Sequence, residues 1–197
     1  LEREYGYRRG LIGAHAAEIR FEDGGFAYLL EDFDRAATIF FTLVEAEALV
    51  EPSYARDAEW YLAESLMEDG NYVSASQAYE RIITHGQSHP FFQDAVRRQL
   101  EAYGFLKDSE SFYRVYNRYI VTSIVPTTDQ VRYSMAKSFY HQGDWTRAKS
   151  LFAEVSGDSS AYTRARYFLG AILVAEGQLE SSVPQFERVT QYVPPMQ

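Results

Sequence analysis

The sequence predicts an all-α fold in which helical hairpins stack side by side as a solenoid. Three observations predict it: a self-match at a fixed spacing of 34 residues, apolar positions recurring at helical intervals, and glycines where each hairpin must turn. The self-match runs from Asp129 to Gln197. In it Tyr133 falls on Tyr167, Met135 on Leu169, Ala136 on Gly170 and Phe139 on Leu173. In the same register Gly143 falls on Gly177, Trp145 on Leu179, Ala148 on Ser182, Phe152 on Phe186 and Val155 on Val189. A unit of this length is one helix-turn-helix that buries its apolar face only against neighbours, so it occurs in arrays.

Each matched position has a physical reason. Met135, Ala136 and Phe139 form one stripe of the first helix, facing the second. Ala136 and Gly170 let the paired helices approach, while Phe139, Trp145 and Phe152 fill the space between them. Gly143 and Gly177 stand just past the first helix, where a left-handed residue ends it. Asp144 then offers its carboxylate to the open N–H groups of the next helix.

From the start of the chain, residues 1–25 read as an N-terminal helical segment and 26–197 as the solenoid. A helix is expected from Ala14 to Arg20, and Asp23-Gly24-Gly25 is expected to break or turn the chain before Phe26. A partial repeat follows over 26–50. Its Asp32-Phe33, Ala36, Phe40 and Leu43 match Asn71-Tyr72, Ala75, Tyr79 and Ile82 at an offset of 39, with a degenerate first helix. Full repeats are expected over 56–89, 129–162 and 163–197. In the first of these, Leu62, Ala63, Leu66, Gly70 and Tyr72 align with Met135, Ala136, Phe139, Gly143 and Trp145 at an offset of 73. A degenerate repeat fills 90–126, with helices from Phe91 to Leu106 and from Ser109 to Val121. It lacks the turn glycine, having Lys107-Asp108 instead. Pro126 closes it, Thr127, Thr128 and Asp129 offer caps, and Pro184 is expected near the first turn of the last helix. Leu1 in place of Met, and the ending Val193-Pro194-Pro195, suggest a piece of a longer array.

These motifs resemble the tetratricopeptide (TPR) repeat family over roughly Phe26 to Pro194. The resemblance implies a right-handed superhelical solenoid of antiparallel helix pairs, a non-enzymatic role in protein interaction, and a concave groove lined by the first helix of each unit. By motif position the groove candidates are Trp60, Glu64 and Met67, then Tyr133, Lys137, Tyr140 and His141, then Arg164, Tyr167 and Ala171. The aromatic members can instead pack between repeats. Lys137 and Arg164 can pair with a partner carboxylate. Some co-chaperones of the family clamp a peptide's terminal carboxylate with Lys, Arg and Asn. Here the clamp rows hold Asp57, Gln130 and Arg164, and Glu64, Lys137 and Ala171, so a segment of partner chain or a folded domain is expected instead.

Charge and composition narrow the field further. The first 69 residues carry 16 acidic and 6 basic side chains, and the remainder 12 and 13. That asymmetry marks either an acidic docking surface or ordinary solvated helix faces. The net charge of −9, with no basic patch beyond pairs such as Arg97-Arg98 or Arg114 and Arg118, points away from nucleic acid. No apolar run is long enough to span a bilayer, so no membrane insertion is expected. The chain has no Cys, hence no thiolate metal site. His85 and His89 are four apart, but Gly86 and Pro90 place them in a loop without a helical metal motif. Neither a phosphate-binding loop nor a nucleophile elbow is present, so no catalytic residue, metal or cofactor is expected. Two function classes follow: a scaffold assembling other subunits into a complex, or the regulatory or substrate-binding arm of a larger enzyme. Arg outnumbers Lys 16 to 3. With the look of the repeats, this resembles long bacterial TPR proteins of cell-envelope, secretion and gliding-motility machinery; a cytoplasmic adaptor is the other location considered.

Overall fold

A computed structural model of the chain describes residues 2–45 and 52–191, with side chains from residue 15 and again from residue 54. Among them the structure is helical throughout, with ten α-helices packed in neighbouring antiparallel pairs and no strand. The helices are α1 (Glu2–Leu29), α2 (Phe33–Glu45), α3 (Pro52–Glu68), α4 (Tyr72–Thr84), α5 (Phe92–Leu106), α6 (Ser109–Tyr116), α7 (Asp129–His141), α8 (Trp145–Ala153), α9 (Tyr162–Ala175) and α10 (Leu179–Thr190). A 3₁₀ turn at Gly86–Ser88 precedes α5, and a π turn at Asn117–Val121 extends α6 and buries Tyr119 and Ile120. None of the described helices is long and apolar enough to cross a membrane. The chain divides into two compact units, Leu1–Ala102 and Tyr103–Gln197.

One contact organises the hairpins. In four hairpins a small residue on the first helix stands sixteen positions before an aromatic on the second, Gly24 and Phe40, Ala63 and Tyr79, Ala136 and Phe152, Gly170 and Phe186, and at both glycines the aromatic ring lies against it. Ala63, Ala136, Phe40, Tyr79 and Phe152 are fully buried. A Cβ built on Gly170 would lie 2.8 Å from Phe186 Cζ, and one on Gly24 would lie 2.9 Å from Phe40 Cζ. This corrects the reading of Asp23-Gly24-Gly25 as a break: α1 runs straight through it. Gly24 is the small residue of the first hairpin, so that hairpin's first helix is in register, although Asp23 and Ala27 stand where the next hairpin has Leu62 and Leu66. α1, which packs on α2, runs unbroken across the boundary expected at residue 25.

In the first unit Ala17, Ala27, Ala36, Phe40, Leu43, Ala58 and Leu62 are buried together. The Phe40 ring stacks on Tyr61 at 5.4 Å and meets the edge of Phe21 at 5.7 Å. In the second unit Phe139, Phe152, Val155, Ala165, Leu169, Ile172 and Leu173 form the core, with Phe168 stacked on Phe152 at 5.4 Å.

The turns share one backbone device. Gly70, Gly143 and Gly177 have φ of 79°, 79° and 77°, and Glu31 and Lys107 hold the same place with φ of 60° and 56°. The left-handed turn is therefore kept where the sequence lacks glycine, with the Cβ strain that follows. Asn71, Asp108, Thr128 and Asp144 cap the next helices, accepting from Ser74, Ser111, Val131 and Arg147 N–H groups at 3.4, 3.0, 3.3 and 3.2 Å. Pro184 needs a second correction. It lies in the second turn of α10, not the first, so the Glu180 carbonyl loses its i+4 donor. Pro184 is exposed, which leaves that carbonyl side of the helix near water.

Candidate protein-binding faces

The predicted groove residues separate into two groups. In the first unit Trp60 is half-buried, stacked on Phe91 at 4.9 Å and tilted against Tyr79 at 6.0 Å. Met67 is only 5% exposed, so it packs and offers little surface. Glu64 accepts hydrogen bonds from the Tyr79 hydroxyl and from Arg98 Nε, the latter at 2.8 Å. Arg98 also reaches Glu68 at 2.7 Å and Glu101 at 3.0 Å, tying α3 to α5. Burial alone would favour the neutral guanidine. The Glu64, Tyr79 and Glu101 contacts outweigh it and hold Arg98 firmly charged, while burial holds the Tyr79 phenol neutral. These side chains therefore join repeats. Glu68, although 44% exposed, is one of Arg98's partners.

A second polar cluster joins α3 to the loop before α5. Glu59, 6% exposed, accepts from Arg81 Nε at 3.0 Å and faces His85 Nε2 and His89 Nε2, each at 3.1 Å. The Phe91 backbone N–H donates to His89 Nδ1 at 3.2 Å, so Nε2 carries the proton and donates to Glu59. Burial pushes the His89 imidazole below its ordinary pKa against the opposing pull of Glu59. For Glu59 burial acts upward, but the His85, His89 and Arg81 contacts together hold its carboxyl below the usual range. An imidazole whose two nitrogens are thus engaged is a structural tie between two elements. Sequence spacing placed these histidines in the loop but gave no sign of Glu59, some thirty positions earlier.

In the second unit the predicted residues come together on α7 and α9. Tyr133 is only 5% exposed, and two cations approach its ring: Arg164 Cζ at 4.9 Å and Lys137 Nζ at 5.8 Å. Lys137 also stands 4.5 Å from the centre of the Phe105 ring, which is 39% exposed. Half-buried Tyr140 meets Phe168 edge-on at 5.1 Å and His141 at 5.5 Å. Burial first, then nearby Lys107 and Lys137, lower the His141 pKa, which favours its neutral imidazole. Tyr167 is 53% exposed and touches Phe168 and Phe186, while Arg164 bonds Gln130 at 3.4 Å. Ala171 is half-buried on the same helix. Phe105 and Phe168 were not predicted. Phe168 stands next to Tyr167 in the repeat, but in the neighbouring copy its place is held by Ser134, so the self-match did not reveal it.

The repeated hairpin and its shared left-handed turn find their counterpart among known proteins. The family model described as "Tetratricopeptide repeat" matches residues 27–91 and 133–192. The chain belongs to the tetratricopeptide repeat family. Solved structures similar to this TPR chain include one described as "MamA RS-1 ArsTM double mutant", at 11% identity and a TM-score of 0.68, covering 89% of this chain and 93% of that one. A thermophilic TPR protein of Thermus thermophilus, TTC0263, aligns at 15% identity and a TM-score of 0.61, covering 91% and 92%. A Podosopora anserina structure described as a putative kinesin light chain with nearly identical TPR-like repeats aligns at 13% and 0.63, covering 88% and 92%. At these identities the likeness concerns the fold. No curated protein matches this TPR chain in sequence. The family's fold is generally a non-catalytic protein-interaction module, and its domains bind protein partners.

Proposed function

We propose that the chain is a non-enzymatic scaffold whose α7–α9 face docks a segment of a partner protein or a folded domain, holding it beside other subunits of a complex. The observation that carries this is the run Phe105, Lys137, Tyr133, Arg164, in which cations and rings alternate at 4.5 to 5.8 Å. Lys137 and Arg164 lie over rings that fix their positions, so less side-chain freedom is lost on binding. Tyr140, His141 and Tyr167 add partly exposed rings with polar tips, the residue types that anchor protein interfaces. Tyr133 supports the face from below, and Trp60, Glu64 and Met67 join repeats in the first unit.

The setting proposed is bacterial cell-envelope, secretion or gliding-motility machinery, supported by the Arg-rich composition and the style of the repeats. The test is a cross-linking pull-down from soluble and membrane fractions of the native organism. It compares wild type with Lys137→Gln/Tyr140→Ala/Arg164→Gln, all partly exposed positions whose change spares the core. A partner recovered by wild type and lost by the folded variant supports the face, and the fraction that yields it reports the compartment. Equal recovery by both moves binding elsewhere and refutes the proposal.

A further inference from the structure

A second surface lies on the first unit, between α2 and α4. These are the second helices of consecutive hairpins, with α3 beneath them. Ala37, Ser74 and Ala78 are small wall residues, and Leu62 and Leu66 form an apolar floor, leaving a groove of about 590 Å³. Along α2 the lining runs from Asp34 to Glu45, about 16 Å at the rise of a helix, enough for three turns of a docked helix. The groove is made by second helices, so it shares no residue with the α7–α9 face.

Phe41 lines this groove and is 55% exposed. The same register position in α4, α8 and α10 holds Glu80, Ala153 and Glu187, so the repeat does not require an aromatic there. Charge completes the pattern. Asp34 is exposed at one end of the α2 wall and Glu45 is 57% exposed at the other. Arg81, the basic residue in the lining, is already bonded to Glu45 at 3.4 Å and to Glu59 at 3.0 Å. Residues 1–102 carry 19 acidic and 9 basic side chains. An occupant must therefore bring apolar side chains on one face and positive charge beside them.

We propose that this groove docks an amphipathic helix with basic flanks, presented by a partner protein. Apolar side chains spaced three and four apart enter beside Phe41, over Leu62 and Leu66, and flanking Lys or Arg residues meet Asp34 at one end and, at the other, Glu45, which they share with Arg81. The acidic excess of this unit thus has a use: it steers a cationic helix to an apolar trough.

The test is fluorescence anisotropy of a labelled amphipathic helix built only from Leu and Lys, with its Leu and Glu counterpart as control. Thr38→Trp places a bulky ring in the groove without changing charge, at an exposed position. Phe41→Ala removes the exposed wall. The Leu/Lys helix is expected to bind wild type, to lose about tenfold in affinity on Thr38→Trp and about fivefold on Phe41→Ala, as when a buried anchor or its pocket is lost. Asp34→Asn/Glu45→Gln weakens binding mainly at low salt. Circular dichroism establishes that each variant is folded. Equal binding to wild type and to both groove variants would mean mere attraction to an acidic protein and overturns the proposal. So would equal binding of the Leu/Glu helix, or no binding of the Leu/Lys helix at hundreds of micromolar.

Discussion

Gly24 and Gly25 are adjacent in α1, yet substitution to alanine should act on them in opposite directions. In a helix interior, Gly→Ala gains about 1 kcal/mol from propensity at either site. At Gly25 the new Cβ meets nothing within 4 Å, so that gain should appear whole. At Gly24 the Cβ would lie 2.9 Å from Phe40 Cζ and 3.1 Å from Ile39 Cγ2. The Phe40 ring is fully buried between Tyr61 and Phe21 and has no room to turn aside. Overpacking of this kind costs about 1–3 kcal/mol. Propensity cancels in the difference between the two variants, which leaves the steric cost: Gly25→Ala should be the more stable by about 1–3 kcal/mol. Urea denaturation followed by circular dichroism and by Trp fluorescence, with slopes compared between variants, measures it. Equal midpoints would refute the reasoning, because Gly24 would then not be set by its contact with Phe40.

Three other outcomes are expected. Arg98→Met leaves Glu64 and Glu101, both largely buried, without their shared cation. It should cost about 2–4 kcal/mol in urea melts. The folded-state pKa of His89 lies below its unfolded value, so its contribution to stability is present in full above the ordinary imidazole pKa and is lost as pH falls through the depressed folded value. With Glu59, Arg56 and His85 around it, wild type should lose stability between neutral and mildly acidic pH more steeply than His89→Gln in paired thermal melts. Pro184→Ala restores a donor to the Glu180 carbonyl and should stabilise the last hairpin by about 1–3 kcal/mol, read as a higher urea midpoint.

The sequence was most readable where the physics is local. Asp144 announced a cap and Gly143 a turn because each acts within a few residues of itself, and the repeat period then multiplied that signal. It was less readable where a residue answers to something distant. Gly24 looks like a breaker because two glycines in a row favour turns; its real constraint is an aromatic sixteen positions on. Lys107-Asp108 marked the place of a turn but not its left-handed backbone, which stacking holds at Lys107 against the local preference. In the candidate site, motif position brought Lys137, Tyr140, Arg164 and Tyr167 to one face. It did not tell that Tyr133 and Met67 would be covered, because exposure depends on the neighbouring helix and not on the repeat's own pattern.

The five turns of like geometry make the chain its own host–guest experiment. Gly143 and Gly177 have nothing within 4 Å of a Cβ, so a side chain placed there would report backbone preference with no packing contribution. Glu31 and Lys107 already hold non-glycine residues in that conformation. Exchanging residues among these sites would therefore calibrate, inside one folded array, how much left-handed strain repeat stacking can hold before a hairpin opens.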